Sequence, residues 1–129
     1  MKYLKLFENF QERKFDELLL KLETYNLDKN DFAIFGSAPL VAKGMLEDVN
    51  DLDVIVRPSA WTFESVGEYR DGDIEFFDNW LPFDIDNLID NHTFEYNGFR
   101  FVDTDYVYQY KETMAREKDK HIWNKKTSL

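Results

Sequence analysis

The sequence predicts an α/β (α+β) fold, a small mixed β-sheet flanked by helices, in one domain spanning residues 1–129. Short apolar runs bounded by turn residues alternate with stretches of helical spacing, the pattern of a sheet covered by helices. An Asn-Gly pair lies between two runs of strand-forming residues, which predicts a hairpin. A chain of 129 residues supplies one core and no more.

From about Glu12 to Tyr25, Phe15, Leu18, Leu19 and Leu22 recur at i, i+3, i+4 and i+7. This is the stripe of a core-facing helix within an N-terminal region of residues 1–26. The polar break at Asn26 to Asn30 ends it. Phe32-Ala33-Ile34-Phe35, held between Asp31 and Gly36, predicts a buried strand. Ser37 then stands where a helix N-cap belongs, with Pro39 tolerated in the first turn. Leu40, Val41, Gly44 and Met45 share one helical face, so residues 38–46 are expected to form a short helix. Asp51-Leu52-Asp53-Val54-Ile55-Val56 predicts a second strand, ended by Arg57-Pro58. Alternation sends Leu52, Val54 and Val56 to one face and Asp51, Asp53 and Ile55 to the other.

Residues 59–66 are expected to form another short helix. Asp71-Gly72 signals a turn before a third strand over Asp73-Ile74-Glu75-Phe76-Phe77, and Asp84 to Asn91 suits a helix of one or two turns. Thr93 to Tyr96 and Phe99 to Val102 flank Asn97-Gly98, the strongest hairpin signal in the chain. From Thr104 the pattern is helical to about Trp123, a C-terminal helix over 104–123 whose far end is expected to fray.

Composition narrows the function classes. Twelve Phe, seven Tyr and three Trp are too much aromatic material for a disordered chain. With no cysteine there is no disulfide framework, thiol nucleophile or Cys-based zinc site. No stretch approaches the ~20 apolar residues of a membrane span, and no signal-peptide pattern is present, so a soluble, cytoplasmic protein without a membrane partner is expected. The run Met1 to Phe10 is similar in composition to leader segments of phage-encoded proteins, which would make the compartment the host cytoplasm.

The formal net charge of −10 makes sequence-independent DNA binding unexpected, because phosphate neutralisation needs Lys and Arg. Residues 109–129 depart from this average, with six Lys or Arg against three Asp or Glu. That basic end suits either a polyphosphate or a solvated helix terminus.

The informative constellation is Gly36-Ser37, thirteen residues, then Asp51-Leu52-Asp53. Carboxylates at i and i+2 on a strand share a face, and both resist ionisation together unless a cation lies between them. A strand that turns through Gly-Ser into a helix aims backbone N–H groups and the helix dipole outward, which suits a phosphate. Carboxylate-held metal beside an anion-binding turn is the arrangement of phosphoryl-transfer chemistry. Asp73 and Glu75, on one face of the third strand, are both candidates for a third carboxylate. Lys111 and Lys118 share a helix face with Val107, Met114 and Ile122 and either snorkel past the core or reach phosphates. His92 and His121 have no partner at metal-ligand or triad spacing. Trp61, Trp80 and Phe83 suit the core or a groove wall, or stacking on a base.

The run from Phe35-Gly36-Ser37 through Lys43-Gly44 and on through Asn50-Asp51-Leu52-Asp53-Val54-Ile55-Val56 resembles the polymerase-beta-type nucleotidyltransferase superfamily. It is most similar to small single-domain bacterial and phage members related to those of abortive-infection and toxin systems. Asp73 to Phe77 with Trp80 resembles the strand of the third carboxylate, which favours Glu75. Tyr110-Lys111 and Met114 to Asp119 resemble a C-terminal helix whose basic residues approach the nucleotide.

The resemblance covers about residues 32–122 and implies a minimal nucleotidyltransferase fold. Two departures stand out: the Gly-Ser to Asp spacing is about three residues longer than in the minimal members, and Lys43 replaces a frequent arginine.

The resemblance further implies a metal-dependent nucleotidyltransferase moving a nucleoside monophosphate from an NTP to a hydroxyl acceptor. Asp51, Asp53 and Glu75 would be the catalytic and metal-binding residues, with Mg2+ or Mn2+ as cofactor. Gly36, Ser37, Lys43, Lys111, Arg116 and Lys118 would bind the nucleotide. The acceptor, whether tRNA, another RNA, a protein or a small molecule, is left open. The alternative is a catalytically inactive member of the same fold that binds nucleotide or acts as an inhibitor or interaction module.

Overall fold

The computed structural model describes the backbone of residues 13–127 and the side chains of residues 13–115. The similarity of Met1 to Phe10 to phage leaders therefore concerns residues outside those described. Helix α1 (Lys14–Glu23) is followed by β1 (Phe32–Phe35), the short helix α2 (Ala38–Ala42) and β2 (Leu52–Val56). A 3-10 turn (Pro58–Ala60) leads to β3 (Glu68–Asp71) and β4 (Ile74–Phe77). Helix α3 (Ile85–Asn91), the hairpin β5 (Thr93–Tyr96) and β6 (Phe99–Val102), and the long helix α4 (Thr104–Thr127) complete the order.

The strands form one mixed sheet in the order β3-β4-β2-β1-β6-β5. β2 is antiparallel to β1 and parallel to β4, while β6 is parallel to β1. Strand β1 is buried at every position, as a central strand covered on both faces must be. The alternation expected of β2 holds. Leu52, Val54 and Val56 join one core with Phe15, Leu18, Leu19 and Leu22 of α1. Ile55 joins a second core on the opposite face, with Leu40, Ile85, Leu88, Ile89 and Val107 from α2, α3 and α4. The sheet is thus a middle layer, with α1 on one side and α3 and the start of α4 on the other.

Three expectations need correcting. The helix over residues 38–46 ends at Ala42, because Gly44 turns to φ +76°. Residues 59–66 form only the 3-10 turn; beyond it, Trp61 Nε1 donates to the Ser65 carbonyl at 2.8 Å, and Phe63 stacks on Tyr69. Strand β3 was not expected at all, for its residues are almost all exposed and carry no apolar alternation. It forms because Asp71-Gly72 turns the chain back onto β4, pairing Asp71 with Ile74 and Arg70 with Glu75. The Asn97-Gly98 hairpin is present, both residues having positive φ (51° and 81°) as a type I′ turn requires.

Polar contacts help hold α1 against the sheet, and the start of the helix is held by a loop acid. Asp48, in the loop before β2, accepts hydrogen bonds from the backbone N–H groups of Lys14 and Phe15, each at 2.8 Å, and of Val49 at 2.9 Å. A loop carboxylate therefore caps a helix whose own N-cap position, Arg13, offers no side-chain acceptor. Burial opposes the Asp48 charge, but the backbone donors outweigh it and hold the carboxyl below its ordinary value. A depressed acid stabilises the fold above its unfolded pKa and loses that contribution as pH falls through the folded one. Asp48→Ala should lower stability by about 1–2 kcal/mol at pH 7. In urea unfolding the difference from wild type should shrink toward pH 3; a difference independent of pH would mean that packing, not the cap, had been lost.

Candidate functional site

β1 ends at Phe35, and the chain turns at once through Gly36-Ser37 into α2. Gly36 has φ +66°, and a β-carbon there would collide with Asp53 Oδ2 and lie 3.2 Å from its Cγ. Glycine is thus required both by the turn and by the close approach of its backbone to the Asp53 carboxylate. Asp51 just precedes β2 and is exposed, while Asp53 within the strand is partly buried. The register pairs Phe35 with Asp53 across β1 and β2, and Asp53 with Glu75 across β2 and β4.

These elements border a cleft of about 380 Å³. Gly36, Ser37, Asp51 and Asp53 line its polar end; Trp80, Val107 and Tyr110 form an apolar wall; Lys111, Met114 and Ala115 of α4 form the rim. Trp80 is set by stacking on Phe35 (5.0 Å between centroids) and by contact with Tyr110 (5.1 Å). Its position beside Phe35 follows from the turn Trp80 to Phe83, closed by a hydrogen bond from Phe83 N to the Trp80 carbonyl at 2.9 Å.

Asp53 feels both its burial and its neighbours. Burial raises its pKa most, followed by the charges of Asp51 and then Glu75, and together they push it up to about 6. Lys111 and Arg70 pull the other way without cancelling the effect. The acids thus carry more negative charge than their surroundings balance.

Ser37 holds the N-cap position its sequence suggested, but it does not cap with its side chain. Its backbone is already helical (φ −91°, ψ −14°) and its side chain makes no capping bond. Instead its Oγ accepts from Lys111 Nζ at 2.8 Å. α2 has only five residues, too few for a substantial macrodipole, so the positive potential at this end comes chiefly from the Lys111 ammonium.

The structure brings together Gly36, Ser37, Asp51, Asp53 and Lys111 in one cleft, with Glu75 beside Asp53 on the next strand. Glu75 does not line the cleft; Arg70 Nη2 holds its Oε1 at 3.1 Å. Asp73, the other candidate third carboxylate, is bound by Lys14 Nζ at 2.8 Å. Lys43 is elsewhere, its Nζ 4.2 Å from the centre of the Phe94 ring. Arg116 and Lys118 lie on α4 beyond the residues whose side chains are described.

Two contributors escaped sequence reasoning. Arg70 could have been found by counting back from the Asp71-Gly72 turn, which sets it opposite Glu75. Tyr110 as a cleft wall carried no signal of its own. Among the described residues, no three His, Asp or Glu side chains form a ready-made metal-binding group, and no helix is long and apolar enough to cross a membrane. The donor chemistry of Asp51, Asp53 and Glu75, all carboxylate oxygen, suits a hard divalent cation, but Glu75 is paired with Arg70 and the three are not gathered into one group.

A raised acid destabilises the fold as it ionises, so stability should fall as pH rises between about 4 and 6 and stay reduced above. In metal-free buffer Asp53→Asn should therefore be more stable than wild type at pH 7.5, by about 2 kcal/mol, and equal to it near pH 4. A lower melting temperature for the variant at both pH values would make Asp53 a structural residue. Gly36→Ala should destabilise at every pH by at least about 1 kcal/mol, through the strained φ and the contact with Asp53; a neutral effect would contradict the close approach.

No protein-family model, curated protein or solved structure matches this chain.

Proposed function

We propose that the protein is a metal-dependent nucleotidyltransferase that moves a nucleoside monophosphate from an NTP to a hydroxyl acceptor. One observation carries the reading: Asp51 and Asp53 open into the same cleft as the Gly36-Ser37 turn and Lys111, with Asp53 raised to about 6 by burial and by its acidic neighbours. Carboxylates packed at this charge density beside a cationic, glycine-lined turn suit an anionic ligand that arrives with a divalent cation.

In this reading Asp51, Asp53 and Glu75 hold Mg2+ or Mn2+, which when bound supplies charge neutralisation for the phosphates. Lys111 and Ser37 receive the outer phosphates, exchanging their mutual hydrogen bond for contacts with phosphate oxygens. The apolar wall of Trp80 and Tyr110 takes the base or sugar by stacking and excludes water. The acceptor oxygen forms a bond to the α-phosphorus, the bond to pyrophosphate breaks, and Glu75 is the candidate to take the hydroxyl proton. Positioning and charge stabilisation supply most of the rate.

The second reading is a catalytically inactive nucleotide-binding or inhibitor module. What favours it is the state of Glu75, paired with Arg70 and outside the cleft lining.

A pyrophosphate-release screen with the four NTPs, Mg2+ or Mn2+, and cellular RNA or protein extracts tests the activity. Release that Asp51→Asn abolishes is expected; nucleotide binding by calorimetry with no release under any condition would select the inactive module. Lys111→Met keeps the apolar stem and removes the charge, so NTP affinity should fall about tenfold, or ~1.4 kcal/mol, with little change in stability. The deficit should narrow at high salt, where screening already weakens the wild-type contact. Unchanged affinity would return Lys111 to the role of rim cover.

A further inference from the structure

On the sheet face that carries the acids, four side chains stand in one transverse row. Phe35 of β1 pairs with Asp53 of β2, Asp53 with Glu75 of β4, and Glu75 with Arg70 of β3. Paired positions on neighbouring strands send their side chains to the same face, side by side. Across the sheet the row runs aromatic, acid, acid, cation.

Arg70 ends this row on the edge strand. Its Nη2 is 3.1 Å from Glu75 Oε1, and its side chain is 65% exposed against 25% for Glu75. The guanidinium therefore sits on the solvent side of the carboxylate. The two cations nearest the acids divide their work: Lys111 is bonded to Ser37 at the cleft, and Arg70 is bonded to the acid itself. A cation-binding carboxylate cannot be fully available while a guanidinium is bonded to it.

Resting on the reading of these acids as a cation site, we propose that Arg70 is the protein's own counter-ion for Glu75 and competes with the divalent cation for that carboxylate. Arg70 neutralises Glu75 when the site is empty and must leave for Glu75 to join Asp51 and Asp53 around a metal ion. The exchange is easy in energetic terms. An exposed ion pair is weak, and besides it the mostly exposed Arg70 side chain gives up only a long hydrogen bond from its Nε to the Gly72 carbonyl, at 3.3 Å, when it swings into water. Cation affinity is thereby reduced, and Glu75 is recruited only when the ion, alone or with its nucleotide, outbids the guanidinium. Lys14 makes a useful contrast, because it pairs with Asp73 at 2.8 Å, near the same strand but outside the acidic set.

The test is calorimetric titration of Mn2+ and of Mg2+ into the full chain without nucleotide, comparing wild type, Arg70→Gln and Lys14→Gln. Arg70→Gln should bind the metals about two- to fivefold more tightly, the size expected for removing one exposed ion pair. Lys14→Gln, which removes an equal charge from the neighbouring pair, should gain less than half of that. Metal uptake by Arg70→Gln but not by wild type would be the same result in its strongest form. Unchanged or weaker binding in Arg70→Gln, or an equal gain in Lys14→Gln, overturns the role of Arg70 and leaves the cation site standing. If neither wild type nor Arg70→Gln takes up either metal, the cation site itself falls, and this inference with it.

Discussion

Strand β2 is paired along both edges, antiparallel to β1 and parallel to β4, and its register decides the chemistry of both sheet faces. With Leu52, Val54 and Val56 committed to the α1 core, Asp53 must face the opposite side, beside Phe35 and Glu75. A slip of one residue would drive Asp53 into the α1 core and expose three aliphatic side chains. The apolar residues thus fix the acid's place. Burial of Leu52 and Val54, both fully buried, holds an ionisable group where it does not ionise readily.

The electrostatics follow from that constraint. An acidic chain has few cations to spend on its own carboxylates, and the two near the site come from different elements. Arg70 arrives from the edge strand, and Lys111 from the helix that covers the acid-bearing face. Neither forms an ion pair with Asp53, whose proton affinity is raised first by burial and then by Asp51 and Glu75. Elsewhere a cation can be shared directly: Arg57 is bonded to both Asp86 and Asp90 at the start and end of α3.

Much of this was legible in the residues, for reasons that can be named. Central strands announce themselves through continuous or alternating apolar residues, so β1, β2 and β4 could be placed, and with them the shared face of Asp51 and Asp53; the preference for Glu75 over Asp73 came from the resemblance. The hairpin at Asn97-Gly98 was legible because few residue pairs accept two positive φ values. What stayed hidden depends on tertiary contact. β3 has no apolar pattern because it is an exposed edge, and the Arg70–Glu75 pair was hidden with it. The place of Ser37 at the N-cap was legible, but not the partner of its side chain, Lys111, which is 74 residues away. Lys43 drew attention by its position in the Gly-Ser run, but α2 ends at Ala42, and beyond it Lys43 reaches Phe94 rather than the acids.

The thirteen residues between Gly36-Ser37 and Asp51 have a structural role of their own. After α2 closes at Ala42, residues 43–51 travel to the start of α1 before β2 begins, and Asp48 caps that helix on the way. This loop therefore reaches a helix on the other face of the sheet. The route has a consequence for the site. Asp51 lies three residues after the cap, and Val49 between them is buried in the α1 core. The backbone that presents Asp51 is consequently tethered on its N-terminal side to α1 and on its C-terminal side to the central strand. Asp53 is rigid because it belongs to β2; Asp51, outside any regular element, owes its place to a capping bond and one buried valine. The two carboxylates are held by different means, and α1, which contributes no group to the cleft, supports the more exposed of the two.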